Sequence, residues 1–283
     1  MTDGTNIPMS FSDPGATLRA FLPEDDHGAR TAVIVLPGGG YHVCAAPEGA
    51  PIAACFAQLG CAAFVLNYST LSTGAAYAKF PEALRQVAQT VKHLRENAAD
   101  YGIDPARIVL LGASAGGHLA ACYGNEWNDA ARFGDIADAE TLRPNACVLL
   151  YGAVAPACSE MMPPVIFGHA APFSAEEIAR CTVKNHVGSQ TPPTVLFHSA
   201  PDPSVPAASS LELFATLQAN GIPSELHIFG SGEHAYGLGT GTPAEVWPAL
   251  AATFLHTLFT TPERFEKETA RRQREQRHAA ARG

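Results

Sequence analysis

Six short runs of aliphatic and aromatic residues recur along the chain, and the stretches between them carry helical periodicity. That alternation constrains the fold more than any other feature. The runs are Ala32–Leu36 (AVIVL), Ala63–Asn67 (AFVLN), Arg107–Leu111 (RIVLL), Ala146–Tyr151 (ACVLLY), Thr194–His198 (TVLFH) and Glu225–Phe229 (ELHIF). Most are apolar without interruption, which suits strands covered on both faces in a parallel sheet. Between them, Pro81–Asn97 starts with proline in a first-turn position and repeats apolar residues at Leu84, Val87, Val91 and Leu94. Leu211–Asn220 stops at Gly221, and Pro243–Leu258 is a third helical stretch. The pattern predicts an α/β fold: a mostly parallel, twisted sheet with helices on both faces.

A chain of 283 residues is long enough for one large domain or two small ones. Its 16% charged and 47% hydrophobic residues exclude disorder as the main state. With 18 basic against 27 acidic residues it carries a net charge of −9, which argues against a nucleic-acid partner. No apolar run reaches the roughly 18 residues of a membrane span. Residues 1–13 are polar, without a basic segment leading into an apolar one, so the expected location is cytoplasmic. The seven cysteines form no C-x-x-C pair and read as reduced thiols, and no Cys/His spacing suits a metal site.

Two regions break the alternation. Residues 155–193 are rich in proline, methionine and small side chains, and include a short capped helix, Ser174–Arg180, with Glu177 three residues after Ser174. An insertion of that length reads as a small lid. Residues 262–283 hold seven basic and four acidic residues, a charged C-terminal tail of net +3 that leaves −12 on residues 1–261. The expected organisation is a single catalytic domain over 1–261 followed by that tail.

The chemistry centres on Gly112-Ala113-Ser114-Ala115-Gly116, directly after a strand and directly before a helix start. In that setting G-x-S-x-G is a nucleophile elbow, with its glycines needed because strand and helix backbones nearly touch. A serine hydroxyl is a poor nucleophile near neutral pH and needs a base, which in turn needs an orienting carboxylate. Asp202, after the fifth run, is the sole carboxylate between Glu177 and Glu212, and His234 lies in a glycine-flanked loop after the sixth. Both follow the C-terminal ends of strands, where such sheets place their sites. Glu233 is the alternative acid, handicapped by adjacency to His234. The oxyanion donors are expected from the N–H of Ala115 and from Gly39 or Gly40 in Pro37-Gly38-Gly39-Gly40-Tyr41. His118 reads as a buried support residue behind the nucleophile, and His198 and His227 as core residues. Tyr41, His42 and Tyr236 flank the site, either lining a substrate pocket or packing as ordinary side chains.

Together LPGGGY (36–41), FVLNYST (64–70), RIVLLGASAGGHLAA (107–121), TPPTVLFHSAPDPSVP (191–206) and ELHIFGSGEHAYGLG (225–239) make residues 30–258 resemble the α/β-hydrolase superfamily. More narrowly, the chain is similar to the bacterial acetyl esterase group that includes acetylxylan-esterase-like and feruloyl-esterase-like enzymes. The resemblance implies Ser114, Asp202 and His234 as triad, the Gly39/Gly40 loop with Ala115 as oxyanion hole, and no cofactor. Three features depart from the pattern: PGGGY stands where lipase-like esterases have HGGG, Ala-Tyr-Gly follows His234, and Pro201 precedes Asp202. The expected function is hydrolysis of short-chain, acetyl esters, with an acetylated oligosaccharide as substrate. The rivals are a peptidase-like hydrolase, which usually carries a further domain, and a non-catalytic binding module of the same fold.

Overall fold

The computed structural model describes residues 4–24, 28–73, 79–155 and 162–263. Its strands are β1 (Thr5–Ile7), β2 (Thr17–Phe21), β3 (Arg30–Leu36), β4 (Ala62–Asn67), β5 (Ile103–Ala113), β6 (Ala146–Leu150), β7 (Thr194–Ser199) and β8 (Ser224–Phe229). They form one sheet in the order β1-β2-β4-β3-β5-β6-β7-β8. β1–β2 and β2–β4 pair antiparallel, and every other pair is parallel. The predicted runs lie in β3 to β8, and only Tyr151, the last residue of the fourth run, falls just beyond its strand.

Successive strand residues serve opposite layers, which is why the central strands are apolar throughout. Ile34, Leu36, Ile108 and Leu110 join one core layer, while Val33, Val35, Val109 and Leu111 join the other. The first layer is covered by α2 (Lys79–Glu96), α3 (Ala115–Glu126) and α8 (Ala208–Ala219), through residues such as Leu84, Leu119 and Leu213. The second is covered by α1 (Ala50–Gln58) and α9 (Trp247–Thr260), through Ile52, Phe56, Trp247 and Phe254. Short helices α4 (Ala130–Phe133) and α5 (Ala139–Leu142) close the connection between α3 and β6.

β1, β2 and α1 carried no mark in the sequence reading. β1 has three residues at the sheet edge, and β2 begins with the alternating exposed–buried pattern of a half-covered strand. Within the predicted insertion lie α6 (Pro163–Phe167) and α7 (Ala175–Cys181). The expected cap on α7 is complete: Ser174 accepts from the Glu177 N–H, and the Glu177 carboxylate accepts from the Ser174 N–H. Residues 156–161 of the insertion, and all but the first two residues of the 262–283 tail, lie outside the described residues.

Candidate active site

Ser114 sits where β5 hands over to α3, with φ 51° and ψ −116°. A left-handed serine is strained and persists only where its surroundings hold it. Three backbone hydrogen bonds do so: the Ser114 N–H donates to Leu150 O, and the Ser114 carbonyl accepts from the His118 and Ala153 N–H groups. The glycines are required by contact. A Cβ on Gly116 would lie 2.0 Å from Leu36 O, and one on Gly112 would lie 2.1 Å from Gly116 O. Any side chain at either position would push α3 off the sheet.

The three chemistry-bearing residues converge. Ser114 Oγ lies 2.8 Å from His234 Nε2, and His234 Nδ1 lies 2.7 Å from Asp202 Oδ2. Because Asp202 accepts from Nδ1–H, Nε2 presents a lone pair to the serine hydroxyl. The Asp202 carboxylate is fully engaged: Oδ1 accepts from the N–H groups of Ser204 and Val205, at 2.8 and 2.9 Å. A second imidazole, His198, places Nε2 3.3 Å from Asp202 Oδ2. Burial pushes the Asp202 carboxyl up, but bonds from His198, His234 and the two N–H groups outweigh it and hold the group well below the usual carboxylate range. Glu233 is exposed, and it is Asp202 that meets the imidazole.

The glycine loop after β3 approaches the serine closely. A Cβ on Gly38 would lie 2.8 Å from Ser114 Cβ. The Gly38 N–H is committed to Glu48 Oε2 at 2.9 Å. The N–H groups of Gly39, Gly40 and Ala115 have no intramolecular acceptor among the described residues. Gly39 has φ 117°, and a Cβ there would lie 2.2 Å from Val43 O, so this turn admits glycine alone.

The flanking residues separate. Tyr41 is fully buried, edge-on to Tyr68, Phe80 and His118, and its hydroxyl bonds His118 Nδ1 at 2.9 Å. Its ring is therefore packed in the core, held by those contacts, and its backbone has φ 63°. His42 is half-buried, its N–H bonded to Gly39 O. Tyr236 packs edge-on against Tyr151 with ring centroids 4.5 Å apart, and its hydroxyl finds no hydrogen-bond partner among the described residues. His118 is buried as expected, with Nε2–H donating to Cys181 O at 2.9 Å, and burial pushes its pKa down to about 4.

The sequence reading missed Glu48, Tyr151 and the second role of His198. His198, expected as a core residue, is buried and bonded to Val205 O and Ser210. It also flanks the carboxylate four residues later, a spacing visible in the sequence. Tyr151 directly follows a strand on the edge where the other site loops emerge, which is its only signal. Glu48, a lone carboxylate between proline and glycine, carried none.

With this geometry in view, the comparisons are specific. Residues 18–217, well over half of the chain, match the BD-FAE family. The chain belongs to that family. An endo-1,4-beta-xylanase B of Butyrivibrio fibrisolvens is 29% identical over 222 residues, 77% of this chain and 34% of that protein. An acetylxylan esterase of Xylanibacter ruminicola is 27% identical over 244 residues, 82% of this chain and 46% of that protein. The BD-FAE chain thus spans a third to a half of the length of these curated relatives. The crystal structure of an acetyl ester-xyloside bifunctional hydrolase from Caldicellulosiruptor lactoaceticus superimposes with TM-score 0.77 at 29% identity, covering 90% of this chain and 96% of that one. With the strand order above, these likenesses establish the α/β-hydrolase fold.

Proposed function

We propose that this chain is a serine carboxylic-ester hydrolase acting on short-chain esters, acetyl first, of carbohydrate hydroxyls. The observation that carries the reading is the continuous relay from Ser114 Oγ through His234 to Asp202, at 2.8 and 2.7 Å. His234 takes the serine proton as Oγ attacks the ester carbonyl. Asp202 holds the imidazole in the tautomer that makes this transfer possible and stabilises the imidazolium that results. The oxyanion rests on the N–H of Ala115 and of Gly39 or Gly40. His234 then gives its proton to the departing alcohol, leaving Ser114 acylated. Water, deprotonated by the same imidazole, releases the acid and restores the enzyme.

The acetyl and carbohydrate parts of the reading draw on the relatives whose names carry acetylxylan and acetyl ester-xyloside substrates. The acidic balance of the chain also suits a neutral sugar ester better than an anionic one. Among the described residues no helix is long and apolar enough to cross a membrane. The insertion carrying α6 and α7 is the element assigned to substrate selection. The test is kcat/KM on p-nitrophenyl esters of increasing chain length, then on acetylated xylo-oligosaccharides against simple alkyl acetates. A maximum at acetyl with preference for the sugar ester is expected. Equal or better turnover of long-chain or peptide substrates would overturn it.

A further inference from the structure

Glu48 is 2% exposed and lies in the 3-10 turn that ends the glycine loop. Burying a carboxylate is costly unless hydrogen bonds compensate. Here one oxygen serves each side of the site. Oε2 accepts from the Gly38 N–H at 2.9 Å, and Gly38 lies directly against Ser114. Oε1 accepts from the Tyr151 hydroxyl at 2.7 Å. That hydroxyl in turn accepts from the Gly237 N–H at 3.1 Å, and Gly237 closes the loop that carries His234. The Tyr151 ring also meets the His234 imidazole edge-to-face, with centroids 5.1 Å apart. Burial and the neighbouring Glu48 charge both raise the Tyr151 pKa, so the phenol keeps its proton and its role as donor.

We propose that Glu48 is a positioning residue: its carboxylate ties the glycine loop to the His234 loop through Tyr151, fixing the oxyanion donors relative to the base. This inference rests on the ester-hydrolase reading above. No neutral side chain of the same shape replaces the carboxylate, because both of its partners are donors. Glutamine offers one acceptor and one NH₂. Tyr151 cannot simply reverse, since its oxygen already accepts from Gly237 and its proton would then have no acceptor.

Transition-state stabilisation is sensitive to displacements of about an ångström, worth on the order of 10²-fold. The experiment compares wild type, Glu48→Gln, Tyr151→Phe and the double variant with p-nitrophenyl acetate. Each is also titrated with a trifluoromethyl ketone, which forms a tetrahedral oxyanion on the serine. Glu48→Gln is expected to lower kcat roughly 10- to 100-fold with KM within about threefold. Affinity for the ketone should fall in proportion to kcat. Tyr151→Phe keeps the Gly38 bond and cuts the path to Gly237, so it should lose about tenfold, and the double variant should be no slower than Glu48→Gln. A merely structural role would lower Tm or active fraction without moving ketone affinity per folded molecule.

Wild-type kcat and ketone affinity in Glu48→Gln overturn the inference, as does a double variant whose losses multiply. If Glu48→Gln does not fold, Tyr151→Phe decides: unchanged kcat and ketone affinity overturn the inference. If neither folds, the network serves the fold and the proposal fails. A wild type inert to esters removes the hydrolase reading and this inference with it, whereas an active wild type matched by Glu48→Gln removes this inference alone.

Discussion

Replacing His118 with glutamine should remove a specific part of the protein's acid sensitivity. His118 is completely buried at the start of α3, one turn beyond Ser114. Its neutral form is fully used: Nε2–H donates to Cys181 O, and Nδ1 accepts from the Tyr41 hydroxyl, both at 2.9 Å. An added proton on Nδ1 would face a phenol that now donates to it, and the resulting charge would be fully buried. Burial therefore pushes the pKa from 6.5 down to about 4. Below pH 6.5 the unfolded chain binds a proton that the native state refuses. Stability from this group is thus complete above about pH 6.5 and is lost as pH falls from there toward about 4, where both states are protonated. The gap between the two values caps the loss at about 3 kcal/mol, of which about 2 kcal/mol has gone by pH 5. Urea unfolding of wild type and His118→Gln at about pH 7.5 and pH 5 measures it. Groups titrating in both proteins cancel in the difference, and the wild type should lose about 2 kcal/mol more than the variant. Parallel losses in the two proteins would refute the assignment of a neutral, desolvated imidazole at this position.

Other outcomes follow from contacts described above. Asp202→Asn replaces an acceptor with a donor opposite His234 and should lower kcat on p-nitrophenyl acetate by ~10⁴. It should lower Tm as well, because the buried side chain loses the charge that accepts from His234, His198 and two N–H groups. Gly116→Ala puts a methyl 2.0 Å from Leu36 O and should cost about 3 kcal/mol by chemical denaturation, with activity lost as the elbow shifts. Ser174→Ala breaks the capping box on α7 and should destabilise that helix by about 1 kcal/mol, read as faster amide exchange over Ala175–Cys181. Ending the chain after Thr261 should leave turnover of p-nitrophenyl acetate within about twofold, because the removed segment is charged and nearly free of large apolar residues.

What the sequence disclosed and what it concealed divide along a physical line. Strands buried on both faces announce themselves, because every position in Val33–Leu36 or Ile108–Leu111 must be apolar. The elbow is legible for a similar reason: Gly112 and Gly116 are demanded by backbone contacts within a few residues of each other. Ser114, His234 and Asp202 could be chosen because strand order directs successive loops to one edge, although 120 residues separate the serine from the histidine. β1 was hidden because it is a three-residue edge strand, and β2 because one of its faces is only partly covered. Glu48 was hidden for a different reason. Its meaning lies in Gly38 and Tyr151, ten and 103 residues away, and nothing in its immediate neighbours marks a buried carboxylate. Tyr41 beside the glycine loop was ambiguous because sequence adjacency does not tell which way a ring turns; the structure directs it inward to His118.

The central claim is a covalent acyl-enzyme on Ser114. Acid-quenching the enzyme during turnover of p-nitrophenyl acetate, followed by peptide mapping, tests it directly. The acetyl group should be found on the peptide containing Ser114, absent from Ser114→Ala, and that variant should have lost turnover. An acetyl group elsewhere, or a Ser114→Ala protein that still hydrolyses the ester at the wild-type rate, would contradict the account.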